Sequence, residues 1–132
     1  VQMAAVKSNY LSLRYIQNPT LDILKAAVLQ DPQAMRQITN LDLDTVVELL
    51  KVSTLILGYV PKQIGLTVDM VRQIITEMIA NPAVEDRYVR ELVSNPAIGG
   101  RQSTWPIDIL SLVDVYGSIE AKKIAIDQYL LY

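Results

Sequence analysis

The chain of 132 residues contains no cysteine, no histidine and no phenylalanine. Without cysteine it forms neither disulfides nor thiolate nucleophiles, and without histidine it lacks the imidazole base and a common zinc and haem ligand. Aromatic side chains are also few, at 6%, and comprise seven tyrosines and one tryptophan. These absences remove most of the side chains on which metal binding and acid–base catalysis usually rest.

Long hydrophobic runs are missing as well. The longest apolar stretch, residues 52–60, is interrupted by hydroxyl residues and a glycine and ends at Pro61, short of the ~20 residues of a membrane span. Lys7 and Arg14 interrupt the N-terminal apolar residues, and no signal peptide is visible. We expect no membrane contact and a cytoplasmic or virion-associated location. The start at Val1 instead of a methionine suggests a processed or excised chain.

Charge is nearly balanced, and the cations are scattered. Twelve Lys and Arg face fourteen Asp and Glu, giving −2 at pH 7, and the only adjacent basic pair is Lys122–Lys123. Nucleic-acid affinity comes largely from clustered cations that neutralise phosphates, so binding to nucleic acid is disfavoured. As an alternative function, a nucleic-acid-associated protein would use Arg14, Arg36 and Arg72 as its basic stripe.

What the chain has in abundance is aliphatic side chains. Leucine, isoleucine and valine supply 45 of the 132 residues, mostly at the three- and four-residue spacing of amphipathic helices. Ile119, Ile124, Ile126 and Leu130 form the stripe of the last helix. This periodicity predicts helices near 3–8, 10–17, 21–30, 32–38, 43–52, 54–60, 68–80, 83–94, 106–116 and 118–131.

Residues that start helices separate these segments. Asp31-Pro32, Asn81-Pro82 and Asn95-Pro96 each place a capping side chain before a proline, which loses no hydrogen bond at the first helical position. Thr67 and Ser118 are read as further caps. The predicted fold is all-α, with short stacked helix pairs that form a small solenoid-like or irregular helical bundle. We expect a single domain over 1–132, with repeat-like helix pairs in 1–60 and longer helices, a possible cap, in 61–132.

The sequence contains an internal repeat near its start. Residues 5–24 match residues 27–46 with seven identities in twenty positions, and a degraded third copy keeps its apolar positions up to Val60. One such unit holds a helix, a tight joint and a second short helix, and it buries its apolar stripe only by stacking on neighbours. The alternative is a coincidence among short capped helices that reuse the same few residue types.

Residues 5–20, AVKSNYLSLRYIQNPT, and the second unit, Ala27 to Asp44, resemble a short tandem helical repeat family. That family, of unknown function, occurs in large bacterial, protist and viral proteins. Its units run Ala-Val, then Asn-Pro or Asn-Gly, then Ala-Leu-x-x-Val, then Asn-x-Thr. The resemblance covers residues 4–60 and implies stacked helices, but it brings no activity and no functional residues.

No constellation of side chains replaces the missing catalysts. Asp42, Asp44, Glu85, Asp86 and Asp108 lie at helix starts, where negative charge is favourable, and we interpret them as capping and solvating groups. The glycine pair at 99–100 lacks the Gly-Lys-Ser/Thr ending of a phosphate-binding loop. We therefore expect no enzyme, no catalytic residue, no cofactor, no metal and no small-molecule substrate. A carboxylate-based hydrolase or transferase remains as a second alternative.

The hypothesis that fits best is a helical protein–protein interaction or structural module, part of a larger polypeptide or assembly such as a phage or virus particle. Its partner is a protein or a second copy of the chain. Arg101 and Trp105 are candidate anchors, with helix-start packing as the other role for Trp105. Arg87 and Arg90, with Tyr88 and Glu91, form the densest charged face; they either pair with Glu85, Asp86 and Glu91 or face a partner. The apolar C-terminal stretch, residues 124–132 with Tyr129 and Tyr132, docks either on the core or on another chain.

Overall fold

The computed structural model describes residues 3–4, 9–98 and 105–130, with Tyr129 and Leu130 described through their backbone. Within these ranges the protein is all-α, as predicted, and its strand-like pairing is confined to one isolated bridge between Ile98 and Trp105. The α-helices are α1 Leu21–Gln30, α2 Leu43–Leu50, α3 Val68–Ala80, α4 Asp86–Ser94, α5 Ile109–Tyr116 and α6 Ile119–Leu130. The 3-10 helices are η1 Tyr10–Tyr15, η2 Pro32–Gln37, η3 Thr54–Tyr59 and η4 Lys62–Ile64.

Most predicted helices are present within a few residues of their predicted bounds. The N-terminal prediction, 3–8, lies outside the described residues except for 3–4, which are helical. Thr67 and Ser118 cap α3 and α6 as predicted: their hydroxyl oxygens accept hydrogen bonds from the N–H groups of Met70 at 3.2 Å and Ala121 at 3.1 Å. The segments predicted at 10–17, 32–38 and 54–60 form 3-10 rather than α-helices.

The helices predicted to start at residues 83 and 106 start later, at Asp86 and Ile109. The Asn81 side-chain oxygen accepts a hydrogen bond from the Ala83 N–H at 2.9 Å, so Asn81-Pro82 makes a turn and α4 begins only at Asp86. The predicted cap at Asn95-Pro96 also makes a turn, in which Asn95 accepts from the Ala97 N–H at 3.0 Å. Asp108 caps α5, accepting from the Ser111 N–H at 3.1 Å.

The three longer 3-10 helices recur at a fixed interval. η1, η2 and η3 begin at Tyr10, Pro32 and Thr54, and each has the same length. The residue before each one accepts a hydrogen bond from the N–H group two positions further on: Leu11 to Asn9 at 3.0 Å, Gln33 to Asp31 at 2.9 Å and Leu55 to Ser53 at 3.3 Å. Each buries its fourth residue: Leu13, Met35 and Leu57. The interval is the one that aligns residue 5 with residue 27 in the sequence.

The α-helices between them keep the same interval. α1 and α2 begin at Leu21 and Leu43, after the caps Thr20 and Asp42. The Thr45 side chain and backbone N–H hydrogen-bond to Asp42 and hold the pKa of its carboxyl below the ordinary value. Both helices bury an adjacent pair of residues in their second half, Ala27 and Val28 in α1 and Leu49 and Leu50 in α2.

The contacts divide the chain into two compact units, Val1–Gly65 and Leu66–Tyr132. Gly65, at the end of the first unit, adopts a left-handed backbone with φ of +85°, which favours glycine. The core of the second unit is formed by residues from α3, α4, α5 and α6 together with Ile98, Trp105 and Ile107. The sequence-based assignment of one domain stays a prediction. Every helix in the described ranges is too short or too polar to cross a membrane.

Candidate protein-interaction surface

Among the described side chains of the last helix, two alanines are buried and two isoleucines are exposed. α6 packs along α4, and its Ala121 and Ala125, one turn apart, are buried. Ile119 and Ile126, two turns apart and so on one face of the helix, are 72% and 58% exposed. A bulky aliphatic side chain gains free energy by leaving water, about 1.5–3 kcal/mol when fully buried. Neither isoleucine gains that energy within this chain.

The apolar stripe predicted for this helix therefore does not form its packed face. Ile119 and Ile126 were expected in the stripe with Ile124 and Leu130, and the structure turns both toward solvent. The residues that α6 buries are Ala121 and Ala125, on the helix that packs along α4. The signal that indicates the packed face is the Ala121–Ala125 pair at a spacing of one turn, a less hydrophobic pattern than the isoleucines.

The end of α5 adds two more exposed apolar side chains. Val115 and Tyr116 are 66% and 53% exposed, and only Gly117 and Ser118 separate them from α6. Val115, Tyr116, Ile119 and Ile126 are together called the outer apolar surface below. None of the four is among the individual site residues that we predicted from the sequence, although Ile126 lies in the C-terminal stretch expected to dock on the core or on another chain.

The corner between α5 and α6 is held by backbone contacts. The Ser118 N–H donates to the carbonyl oxygen of Ile79, at the end of α3, at 2.8 Å. Gly117 packs so closely that a Cβ atom there would lie 2.5 Å from the Val113 carbonyl oxygen, so no larger residue fits without movement of the backbone. Tyr116 and Ile119, which flank Gly117 and Ser118, are therefore exposed at a corner that backbone contacts hold in place.

A shallow groove adjoins this corner. Tyr116 and Leu112 of α5 form its apolar side, and polar residues of α3 form the other side: Asp69, Arg72, Gln73, Thr76 and Glu77. Arg72 is paired with Asp69 at 2.7 Å, Nη1 to Oδ1. A surface that combines apolar residues with a polar rim is typical of protein contacts.

The predicted charged face on α4 is occupied by contacts within the unit. The Arg87 guanidinium lies 2.9 Å from a Glu91 carboxylate oxygen and 3.5 Å from one of Glu85, as the spacing predicted. Arg90 donates from Nε to Asp86 at 3.1 Å and from Nη1 to the Gln128 side-chain oxygen of α6 at 3.3 Å. These two arginines therefore join neighbouring groups of their own unit, and Arg90 joins α4 to α6.

Tyr88 does not belong to that charged face. It is among the most deeply buried side chains of the second unit, beside Val89 and Leu92, which line the packed side of α4. Burial raises the pKa of its phenol well above the ordinary value, and the nearby Glu91 carboxylate adds to the rise. The prediction that Tyr88 belongs to the charged face beside Arg87 is wrong, because its side chain is buried.

The remaining predicted anchors are placed as follows. Trp105 is only 7% exposed, so it takes the packing role that was its alternative and does not present its ring to solvent. Arg101 and Tyr132 lie outside the described residues, as does the side chain of Tyr129, whose backbone is in the last turn of α6. The proposed basic stripe is divided: Arg14 and Arg36 belong to the first unit and Arg72 to the second.

The carboxylates that we examined as catalytic candidates have local structural roles. Asp42 and Asp108 cap helices, and Asp86 pairs with Arg90, as the interpretation of these groups predicted. In the part of the chain that the structure describes, no three acidic side chains lie close enough to hold a metal ion. The outer apolar surface, by contrast, consists of four large apolar side chains that are each more than half exposed.

Comparison of the chain with protein-family models, with curated proteins and with solved structures gave no match in any of the three.

Proposed function

We propose that this chain is a non-catalytic protein–protein interaction module, built in its first unit from stacked helical repeats and acting within a larger polypeptide or assembly. The observation that carries the proposal is the outward placement of Ile119 and Ile126 on a helix whose packed face is made of alanines. Exposed apolar groups that a fixed backbone keeps in place are a common mark of a contact with another protein.

The repeat supports the same function from the other unit. Three 3-10 helices with equivalent caps and equivalent buried residues recur at one constant interval, and η2 packs against both η1 and η3. This pattern is the one expected of stacked repeats. Stacks of this kind present extended faces, and their ends accept further repeats. The repeat and the outer apolar surface both favour an assembly role over a role in chemistry.

Photo-crosslinking from single positions tests the proposal. A benzophenone side chain replaces Ile119 or Ile126 in one set of variants, and the matched control carries it at Asp22, an exposed residue on α1. The variants are produced in cells that make the protein, irradiated, purified and analysed by mass spectrometry. We expect adducts with one defined polypeptide from positions 119 and 126, and none from the position of Asp22.

A second copy of this chain and a different protein are both protein partners, and the mass of the adduct distinguishes them. Equal labelling from all three positions, or no adduct from positions 119 and 126, would contradict the proposal. Circular dichroism of each variant shows that the helices are intact, so a missing adduct reports on the surface.

A further inference from the structure

Two successive 3-10 helices of the first unit, η2 and η3, are joined by a specific side-chain contact. η2 packs against both η1 and η3. Between η2 and η3, the Arg36 guanidinium lies over the ring of Tyr59, 5.1 Å from its centre. A flat guanidinium over an aromatic face is a favourable cation–π arrangement. The arginine comes from one repeat and the tyrosine from the repeat that follows it.

The first 3-10 helix also ends in a tyrosine, and among the described residues no 3-10 helix precedes it to supply an arginine. Tyr15 is the last residue of η1, as Tyr59 is the last residue of η3, two repeats later. Tyr59 is half-buried, whereas Tyr15 is 80% exposed. Arg14 is the equivalent of Arg36, and so by the repeat pattern it faces η2. The face of η1 that bears Tyr15 is thus the one that, in η3, is covered by the preceding repeat.

We infer that Tyr15 is the docking point for a further repeat unit whose 3-10 helix carries an arginine at the position of Arg36. The inference rests on the proposed function and extends it by naming the chemistry of the contact: a guanidinium set over the Tyr15 ring. It follows from continuity with the Arg36–Tyr59 contact already present between η2 and η3. The third repeat of a second copy does not fit, because Gly58 stands there in place of the arginine.

An extended chain tests the inference. A copy of residues 21–44 is placed directly before Val1. Val1 is the equivalent of Ile23 and of Thr45 in the next two repeats. Residue 44 of the copy is therefore followed by the equivalent of residue 45, and the repeat interval is kept. The added copy brings its own α1, η2 and Arg36. The measurements are the thermal midpoint and the hydrogen exchange of the added amides, for chains with and without Tyr15→Ala and with and without Arg36→Ala in the added copy.

We expect Tyr15→Ala to leave the midpoint of the original chain unchanged, because the ring is mostly in water. In the extended chain the same substitution lowers the midpoint by about 1–4 °C, and this loss disappears when the added Arg36 is alanine. In the original chain, Arg36→Ala, Tyr59→Ala and the double variant together give the reference size for the coupling between the two side chains.

Two results would overturn the inference, and they have different consequences. If the added amides are protected and the chain unfolds in one transition, but Tyr15 and the added Arg36 show no coupling, the contact is wrong while the stacked-repeat proposal stands. If the amides of the added copy gain no protection from hydrogen exchange, the repeats do not stack, and both the Tyr15 contact and the stacked-repeat proposal are wrong. Neither result bears on the outer apolar surface, which the crosslinking of α6 tests separately.

Discussion

Helices α4 and α6 lie against each other and distribute their side chains in opposite ways. α4 buries Tyr88, Val89 and Leu92, and it exposes mainly charged groups that are paired within the unit. α6 buries two alanines and exposes two isoleucines. The arginines on the outward face of α4 form ion pairs with carboxylates of the same unit. The outward side of α6 exposes both isoleucines to water beside charged residues such as Glu120 and Asp127.

This difference shows that hydrophobicity alone does not identify the packed face of a helix in a small domain. The buried residues of α4 include a tyrosine and a leucine, whereas the buried residues described on α6 are two alanines. Because Ile119 and Ile126 are more than half exposed, we expect them to add little to the stability of the unit. We infer that they are kept for a contact outside it, and the predictions below test the contrast between the two helices.

The largest expected effect compares a large side chain from each helix. Tyr88→Ala removes a fully buried aromatic ring of α4 and is expected to cost about 3–5 kcal/mol of the free energy of unfolding. Ile126→Ala on α6 is expected to change it by less than about 0.5 kcal/mol, because the side chain is already in water. Urea denaturation followed by circular dichroism measures both. Similar costs for the two variants would remove the contrast.

A smaller effect is expected when the alanine contact is enlarged. Ala121→Leu on α6 forces extra methyl groups against α4, and overpacking of this kind costs about 1–3 kcal/mol. Ala80→Leu is the matched control, because Ala80 is exposed at the end of α3 and should change stability by less than about 0.5 kcal/mol. An Ala121→Leu protein as stable as the control would show that α6 does not approach α4 closely.

The third prediction uses pH. Burial raises the pKa of Tyr88 in the folded state, so up to about pH 10 both states keep the phenol proton. Above that pH the unfolded state releases the proton and the folded state does not, and the free energy of unfolding falls by up to about 1.4 kcal/mol per pH unit.

Tyr88→Phe removes that phenol and keeps the ring. We expect its free energy of unfolding to decline less steeply than that of the parent chain between about pH 10 and 12. Denaturant titrations at fixed pH values provide the comparison. Identical slopes for the two proteins would mean that Tyr88 is not held in its neutral form by burial.

Local signals in the sequence were sufficient for much of the fold. Capping residues such as Thr67 and Ser118 satisfy free N–H groups within their own helix, so the start of α3 and of α6 follows from a few neighbouring residues. The ion pairs of Arg87 and Arg90 are equally local, since their partners lie one turn away.

The features that depend on distant residues were not predictable in the same way. Tyr88 looks like part of a charged face until the packing of α6 against α4 is known, and Ile119 and Ile126 look like core until the alanine contact is known. Trp105 is similar, because its burial depends on the second unit as a whole. The periodicity of a helix indicates a possible buried face, but the packing of the neighbouring helix determines which face is buried.

The central claim is that the outer face of α6 binds a protein and adds little to folding. The most direct test measures the molar mass of the native assembly, by size exclusion with light scattering on extracts of cells that make the protein. The double variant Ile119→Ser/Ile126→Ser is compared with Glu120→Ser/Asp127→Ser, which changes two exposed polar residues of the same helix. We expect the isoleucine variant to leave the assembly while the control and the parent chain stay in it. An unchanged assembly for the isoleucine variant, with its helices intact, would contradict the account.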